Sequence, residues 1–233
     1  EDQADVDYKG DIHFFNHAIP NKFYSMGVTL AAGDANAWFK SVFGKEIPFE
    51  NWVNEAEQSL VGANGLIFTP YISGERTPYP DADIRASFLG IDRTHQRADF
   101  IRSVLEGIIF SFKDIMEIYD REGSDFDTVV AIGGGAKSPF WLQIQADIFN
   151  KKVTTLENEQ GPGLGAAMLA ATGLGWYESV QDAASQIIKF GTTYYPNSEA
   201  VVNYSQVYAI YRKVYAATKE VSHELMAYRR QLK

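Results

Sequence analysis

Residues 129–141 read Val129-Val130-Ala131-Ile132-Gly133-Gly134-Gly135-Ala136-Lys137-Ser138-Pro139-Phe140-Trp141, a hydrophobic run, three glycines and a Ser-Pro pair in quick succession. The apolar run is a strand and the segment after it a helix. Ser138 carries the oxygen that caps a first turn, and Pro139 suits the first helical position, where a missing N–H costs nothing. Between strand and helix, consecutive glycines leave the main chain bare where a helix dipole and unpaired N–H groups favour an anion. A tight strand-to-helix turn is the other use of such a stretch, but three successive glycines lose more backbone entropy than a turn requires. Two familiar phosphate motifs do not fit. In the P-loop the lysine follows a glycine, and here Lys137 follows Ala136; the dinucleotide fingerprint needs glycine where Ser138 stands.

Outward from this turn the chain alternates periodicities. Pro139 to about Phe149 reads as a helix with Trp141, Ile144 and Ile148 inward, Thr128 to Ile132 as a short buried strand and Lys152 to Thr155 as another strand. Phe100, Ile101, Val104, Leu105, Ile108, Ile109, Phe112, Ile115, Met116 and Tyr119 recur at three- and four-residue steps, too apolar for a helix with a wet face. This predicts a central buried helix. Upstream, Gly10 to Leu30 reads as strand, turn and strand about Ile19-Pro20-Asn21-Lys22, followed by a helix from Gly33 to Gly44 with Ala35, Trp38, Phe39 and Val42 inward. Asn51 to Leu60 is a short amphipathic helix and Gly65 to Pro70 a buried strand. It enters an irregular loop, Ile72-Ser73-Gly74-Glu75-Arg76-Thr77-Pro78. Leu164 to Ala171 is a small-residue helix. A long amphipathic helix from Tyr204 presents Val207, Tyr208, Tyr211, Val214, Tyr215, Thr218, Val221 and Leu225, and can cover its own domain or join two copies in a homodimer. Strands alternating with helices in the second half predict an α/β layer with parallel pairing, in one domain over residues 1–233.

Composition narrows the chemistry. The 233 residues hold no cysteine, which removes thiolate catalysis and cysteine-bound zinc and suits a reducing, cytoplasmic setting. A net charge of −9 opposes nucleic acid as a partner. No apolar run approaches the roughly 18 residues that span a bilayer, and the acidic start at Glu1 is the opposite of a signal peptide's basic opening. His13 and His17 stand four apart, but the intervening Phe14-Phe15-Asn16 and nearby Pro20 place them on a strand or loop rather than a metal-binding helix. Asp81 and Asp83 lie in a proline-rich loop without a third ligand, which suggests capping of Arg85 or contact with water.

Several separated stretches resemble the FGGY family of carbohydrate kinases. Ala86-Ser87-Phe88-Leu89-Gly90-Ile91, followed by Asp99-Phe100-Ile101-Arg102-Ser103-Val104-Leu105-Glu106-Gly107, is similar to the family's second signature. Gly133 to Ser138 with Trp141, Gln145, Ala146 and Asp147 resembles its adenosine motif, and Gly163-Leu164-Gly165-Ala166-Ala167 the helix that follows. Glu75-Arg76-Thr77-Pro78 after Gly74 resembles the branch that phosphorylates D-xylulose more than the glycerol kinases; gluconate, ribulose and glycerol are the other family substrates to weigh.

The resemblance implies a ribonuclease-H-like, actin-like ATPase domain, the C-terminal half of a two-domain kinase whose sugar and ATP, with Mg²⁺, meet between the halves. It implies that Gly134 and Gly135 approach the α-phosphate and adenosine, with Ala136 beside them, and that Pro139 lines the adenine side. Many members carry Asn at that position, so Ser138 is the side chain here that can substitute. Gly33 matches a glycine near the terminal phosphates, and is equally a plain helix start. Glu75 and Arg76 are expected to shape the cleft or pair with each other. The family's catalytic Asp segment and its Gly-Thr-Ser phosphate loop are both missing from the sequence, which predicts that they lie upstream of Glu1 and that this chain alone is inactive. A non-catalytic nucleotide-binding or dimerisation module is the alternative from another class.

Overall fold

The computed structural model describes residues 11–124, 126–158 and 161–232. It opens with a hairpin in which β1 (His13–Asn16) pairs antiparallel with β2 (Phe23–Met26). Both histidines are off any helix: His13 is in β1, and His17 Nδ1 accepts from the Ile19 N–H in the turn at 3.0 Å. α1 (Ala32–Phe43) ends at Gly44 as the spacing predicts, but its buried stripe is Ala35, Asn36 and Phe39, with Trp38 and Val42 facing solvent. The cause is a polar contact. Asn36 turns inward because its Oδ1 accepts from Trp52 Nε1 at 3.1 Å, and that rotates the helix.

α2 (Phe49–Glu55) starts directly after Pro48, earlier than the expected Asn51, and its end tightens to a 3₁₀ turn over Ala56–Gln58. β3 (Ile67–Thr69) is buried throughout, and pairs antiparallel with β4 (Ser87–Leu89), Phe68 opposite Phe88. β4 escapes the sequence reading because three residues are too few for an alternation to register.

α3 (Arg97–Arg121) is the axis of the molecule. Its start is fixed by Asp99, whose Oδ2 accepts from the Gln96 N–H at 2.7 Å. Ile101, Val104, Leu105, Ile108 and Ile109 are buried, joined in one core by Phe39, Trp52, Phe68, Trp141, Tyr204 and Tyr211. Each such aliphatic side chain contributes roughly 1.5–3 kcal/mol on burial, so this helix anchors the fold.

β5 (Thr128–Val130), α4 (Pro139–Phe149) and β6 (Lys152–Leu156) form the expected strand-helix-strand unit, parallel with Val129 opposite Val153. β5 is not the buried strand its apolar run predicts: Val130 is 42% and Ile132 58% exposed. It is an edge strand, because the sheet order places β6 between it and a third strand. α5 (Pro162–Gly173) covers little, with Met168 its one buried residue. α6 (Val180–Ile187) leads to that third strand, β7 (Phe190–Tyr194), antiparallel to β6; neither is anticipated from sequence.

The tail is two helices, not one. α7 (Ser198–Tyr211) is capped by Asn197, whose Oδ1 accepts from the Glu199 and Ala200 N–H groups, and α8 (Val214–Gln231) follows. At the junction the Lys213 N–H reaches the Ile210 carbonyl at 3.0 Å, a tighter turn that breaks the register. Tyr204, Tyr208, Tyr211 and Val214 are therefore buried, while Val221 and Leu225 are exposed. Among the described residues no helix is long and apolar enough to cross a membrane.

Candidate functional site

The triple glycine works as a hinge between β5 and α4. The Ala131 N–H donates to the Thr154 carbonyl at 2.8 Å, Gly133 turns the chain at φ 77°, and Gly134–Lys137 make one 3₁₀ turn before Ser138. That positive φ suits glycine. Ser138 Oγ then accepts from the Trp141 N–H at 3.2 Å, capping α4, with Pro139 in its first turn. Gly134 has a different character. A Cβ built there, or at Gly33, meets nothing within 4 Å, whereas one at Gly135 touches the Trp141 ring at 3.4 Å.

The open space beside these glycines is a cavity of about 320 Å³ lined by Gly33, Asn36, Ala37, Lys40, Ser41, Lys45, Phe49, Gly134, Gly135 and Trp141. α1 contributes one wall and the glycine turn the other. The start of α1 has no side-chain cap, so its first N–H groups stay unpaired by side chains near Gly33. Lys40 and Lys45 supply positive charge, and Phe49 and Trp141 supply aromatic surface. No carboxylate lines this cavity. Such a donor set takes an anion attached to a flat ring.

A second cavity of about 870 Å³ shares Gly33, Gly134, Gly135 and Trp141 but runs the other way, along Ile108, Ile109, Phe112, Ile115 and Met116 of α3 to β2 and the exposed edge of β5. Unlike the smaller cavity it has no charged lining, and beyond the shared glycines its mostly apolar walls offer a phosphate little. The lysine charge makes the smaller cavity the candidate site.

Of the residues singled out from sequence, Gly33, Gly134 and Gly135 come together here, and Ala136 lines only the larger cavity. Ser138 and Pro139 face a separate groove with Phe49, Glu50, Asn54 and Glu57. Ser138 is buried and its oxygen is engaged in the cap. Lys40, Lys45 and Phe49 are residues the sequence reading misses, since nothing in their local spacing ties them to a turn some ninety positions on. Asn36, a polar residue on an otherwise apolar stripe, is the one signal that a careful reading of α1 offers.

The remaining motif residues are structural. Glu75 does not pair with the Arg76 guanidinium, which is exposed; its Oε1 accepts from the main-chain N–H of Arg76 at 2.7 Å and of Leu30 at 3.1 Å. Burial pushes the Glu75 carboxyl up to about 7 against the pull of those two N–H groups, and the charge of Asp114 adds to the rise. Asp81 and Asp83 neither cap Arg85 nor simply face water. Asp81 accepts from His223 Nε2 at 2.8 Å and the Tyr215 hydroxyl at 3.1 Å, and Asp83 pairs with Arg230, while Arg85 donates to the Ala82 and Ile84 carbonyls. Burial works against the Asp81 charge, but His223 and the N–H groups around it hold its carboxyl below the usual range. Among the described residues no three His, Asp or Glu side chains stand close enough together to hold a metal ion.

The sequence model of the FGGY family of carbohydrate kinases, C-terminal domain, matches residues 5–174. The chain is 46% identical over 230 residues to the xylulose kinase of Bacillus subtilis (strain 168), covering 99% of this chain and 46% of that protein. It superposes on the ligand-bound xylulose kinase from Lactobacillus acidophilus with a TM-score of 0.87 at 27% identity, covering 96% of this chain and 45% of the other. The gluconate kinase from Lactobacillus acidophilus gives a TM-score of 0.82 at 28% identity, over 93% of this chain and 44% of the other. The chain thus spans about half the length of the curated relatives it matches. With the glycine turn, the signature helix and the α/β architecture all in place, the chain belongs to the FGGY family of carbohydrate kinases, as its C-terminal, actin-like domain.

Proposed function

We propose that the full-length protein transfers the γ-phosphoryl group of ATP to D-xylulose, giving D-xylulose 5-phosphate, and that this chain supplies the nucleotide-holding half. The observation that carries the reading is the bare Gly134 main chain facing Gly33, Lys40 and Lys45 across one small cavity. In it the N–H groups of the glycine turn and of the α1 start meet phosphate oxygens, the two lysines offset their charge, and Phe49 and Trp141 flank the base. Gly134 and Gly135 leave the approach to the main chain open, and Ala136 continues the turn. Ser138 and Pro139 act by fixing where α4 begins.

Transfer breaks the bond between the γ-phosphorus and the β–γ bridging oxygen and forms one to the sugar hydroxyl oxygen, whose proton passes to a base. Among the described residues no carboxylate lines either cavity, and that base and most sugar contacts are expected from residues outside this chain. Positioning contributes roughly 7–11 kcal/mol and a general base about 10²–10⁴-fold; this chain alone is therefore expected to be inactive.

D-xylulose is favoured by the names of the relatives at 46% identity, and gluconate is the second reading, given the likeness to a gluconate kinase. The proposed setting is the cytoplasm. For self-association into a homodimer the exposed α8 residues Val221, Leu225 and Tyr228 are a candidate surface. The test is phosphorylation of a panel of D-xylulose, D-ribulose, gluconate and glycerol by the full-length protein and by this chain. D-xylulose is expected to be preferred by the former and untouched by the latter; a different preferred sugar, or steady turnover by this chain, overturns the corresponding part.

A further inference from the structure

The loop around Glu75 touches neither cavity, yet it is bound on both sides with unusual completeness. On one side it clasps the turn between β2 and α1. Glu75 Oε1 accepts from the Leu30 N–H at 3.1 Å, the Thr77 N–H donates to the Val28 carbonyl at 3.0 Å, and the Val28 N–H donates to Thr77 Oγ1 at 3.3 Å. Leu30 is three residues before Gly33, at the edge of the site. On the other side Glu75 and Asp81 exchange main-chain hydrogen bonds at 2.9 and 3.1 Å. The Asp81 carboxylate is held in turn by His223 and Tyr215 of α8, and Tyr215 stacks on Tyr79 of the loop with ring centres 3.8 Å apart. A continuous set of contacts therefore runs from α8 through Asp81 and Glu75 to the start of α1.

Glu75 is 3% exposed, and a buried carboxylate facing two N–H groups is a costly way to shape a loop unless its placement matters. We propose that Glu75 is a positioning residue for the nucleotide: through Leu30 it sets where α1 begins, and so where Gly33 and Lys40 stand in the cavity, with α8 as the strut behind it. This rests on the reading of that cavity as the nucleotide site. Glu75 touches no ligand and acts through Leu30.

The experiment measures the Kd of the full-length protein for ATP by calorimetry, beside its phosphorylation of D-xylulose and its melting temperature. Glu75→Ala is expected to weaken ATP binding about tenfold, the scale of one hydrogen bond to a charged group, with the KM for D-xylulose unchanged. Glu75→Gln keeps an amide oxygen for both N–H groups and is expected to restore the affinity. His223→Leu, at the far end of the strut, is expected to weaken ATP binding in the same direction by about threefold, and it serves if Glu75→Ala does not fold. A lower melting temperature with unchanged Kd in these variants overturns the positioning role. Wild-type protein that binds ATP but phosphorylates no sugar overturns the kinase reading instead, with the Kd comparison still deciding the role of Glu75; wild-type protein that does not bind ATP overturns both.

Discussion

The Cα of Gly107, midway along α3, lies directly against the main-chain carbonyl of Phe68 in β3, leaving no space for a Cβ. Helix and strand approach closely here, and the obstacle is backbone, which cannot step aside. Gly107→Ala is therefore expected to destabilise the domain by about 3 kcal/mol or more, read as a lower urea midpoint, with Phe68 forced from its packing.

One residue earlier, Glu106 Oε1 accepts from Arg102 Nε at 2.7 Å, the Tyr204 hydroxyl at 2.8 Å and the Gly62 N–H at 3.1 Å, all in the core. The family signature in α3 is thus a packing junction that pins α7 to the central helix. Glu106→Ala strands the buried Arg102 charge and is expected to cost roughly 3–5 kcal/mol in urea unfolding. The same substitution at exposed Glu220 is expected to change stability by less than about 0.5 kcal/mol.

Two buried carboxyls give stability a pH dependence. Burial raises Glu75 to about 7 and Asp114 to about 6, and the Asp114 Oδ2 has no hydrogen-bond partner. In both, folding favours the protonated form. Between the unfolded and folded values the native state binds more protons, so stability is fullest below about pH 4, as far as these two groups go, and is lost as pH rises towards about 7. For Glu75 this amounts to roughly 3 kcal/mol. Urea midpoints measured from pH 5 to pH 8 are expected to fall, and Glu75→Gln to flatten that fall; an unchanged slope in the variant contradicts the assignment.

The elements legible in the sequence are those whose residues decide their own geometry. α3 shows itself because ten apolar side chains share one helical period, and the start of α4 because Ser138 and Pro139 encode a cap. What is illegible depends on distant partners. Asn36 turns α1 only because Trp52 stands opposite, and β5 looks buried from its composition while lying at a sheet edge. The tail loses its period where one tight turn at Lys213 shifts the register, which no composition reveals. At the site, the glycines are legible as bare main chain. Lys40, Lys45 and Phe49 are not, because packing on α3 brings them to the glycine turn.

Gly107 and Gly134 are both glycines, but the first is required by the chain itself and the second is not: a Cβ at Gly134 meets no protein atom within 4 Å. On the proposed function, a nucleotide phosphate is what needs that space. Calorimetric titration of ATP into the full-length protein carrying Gly134→Val is the direct measurement. The expected result is at least about a tenfold loss of affinity at an unchanged melting temperature; wild-type affinity in that variant would contradict the site.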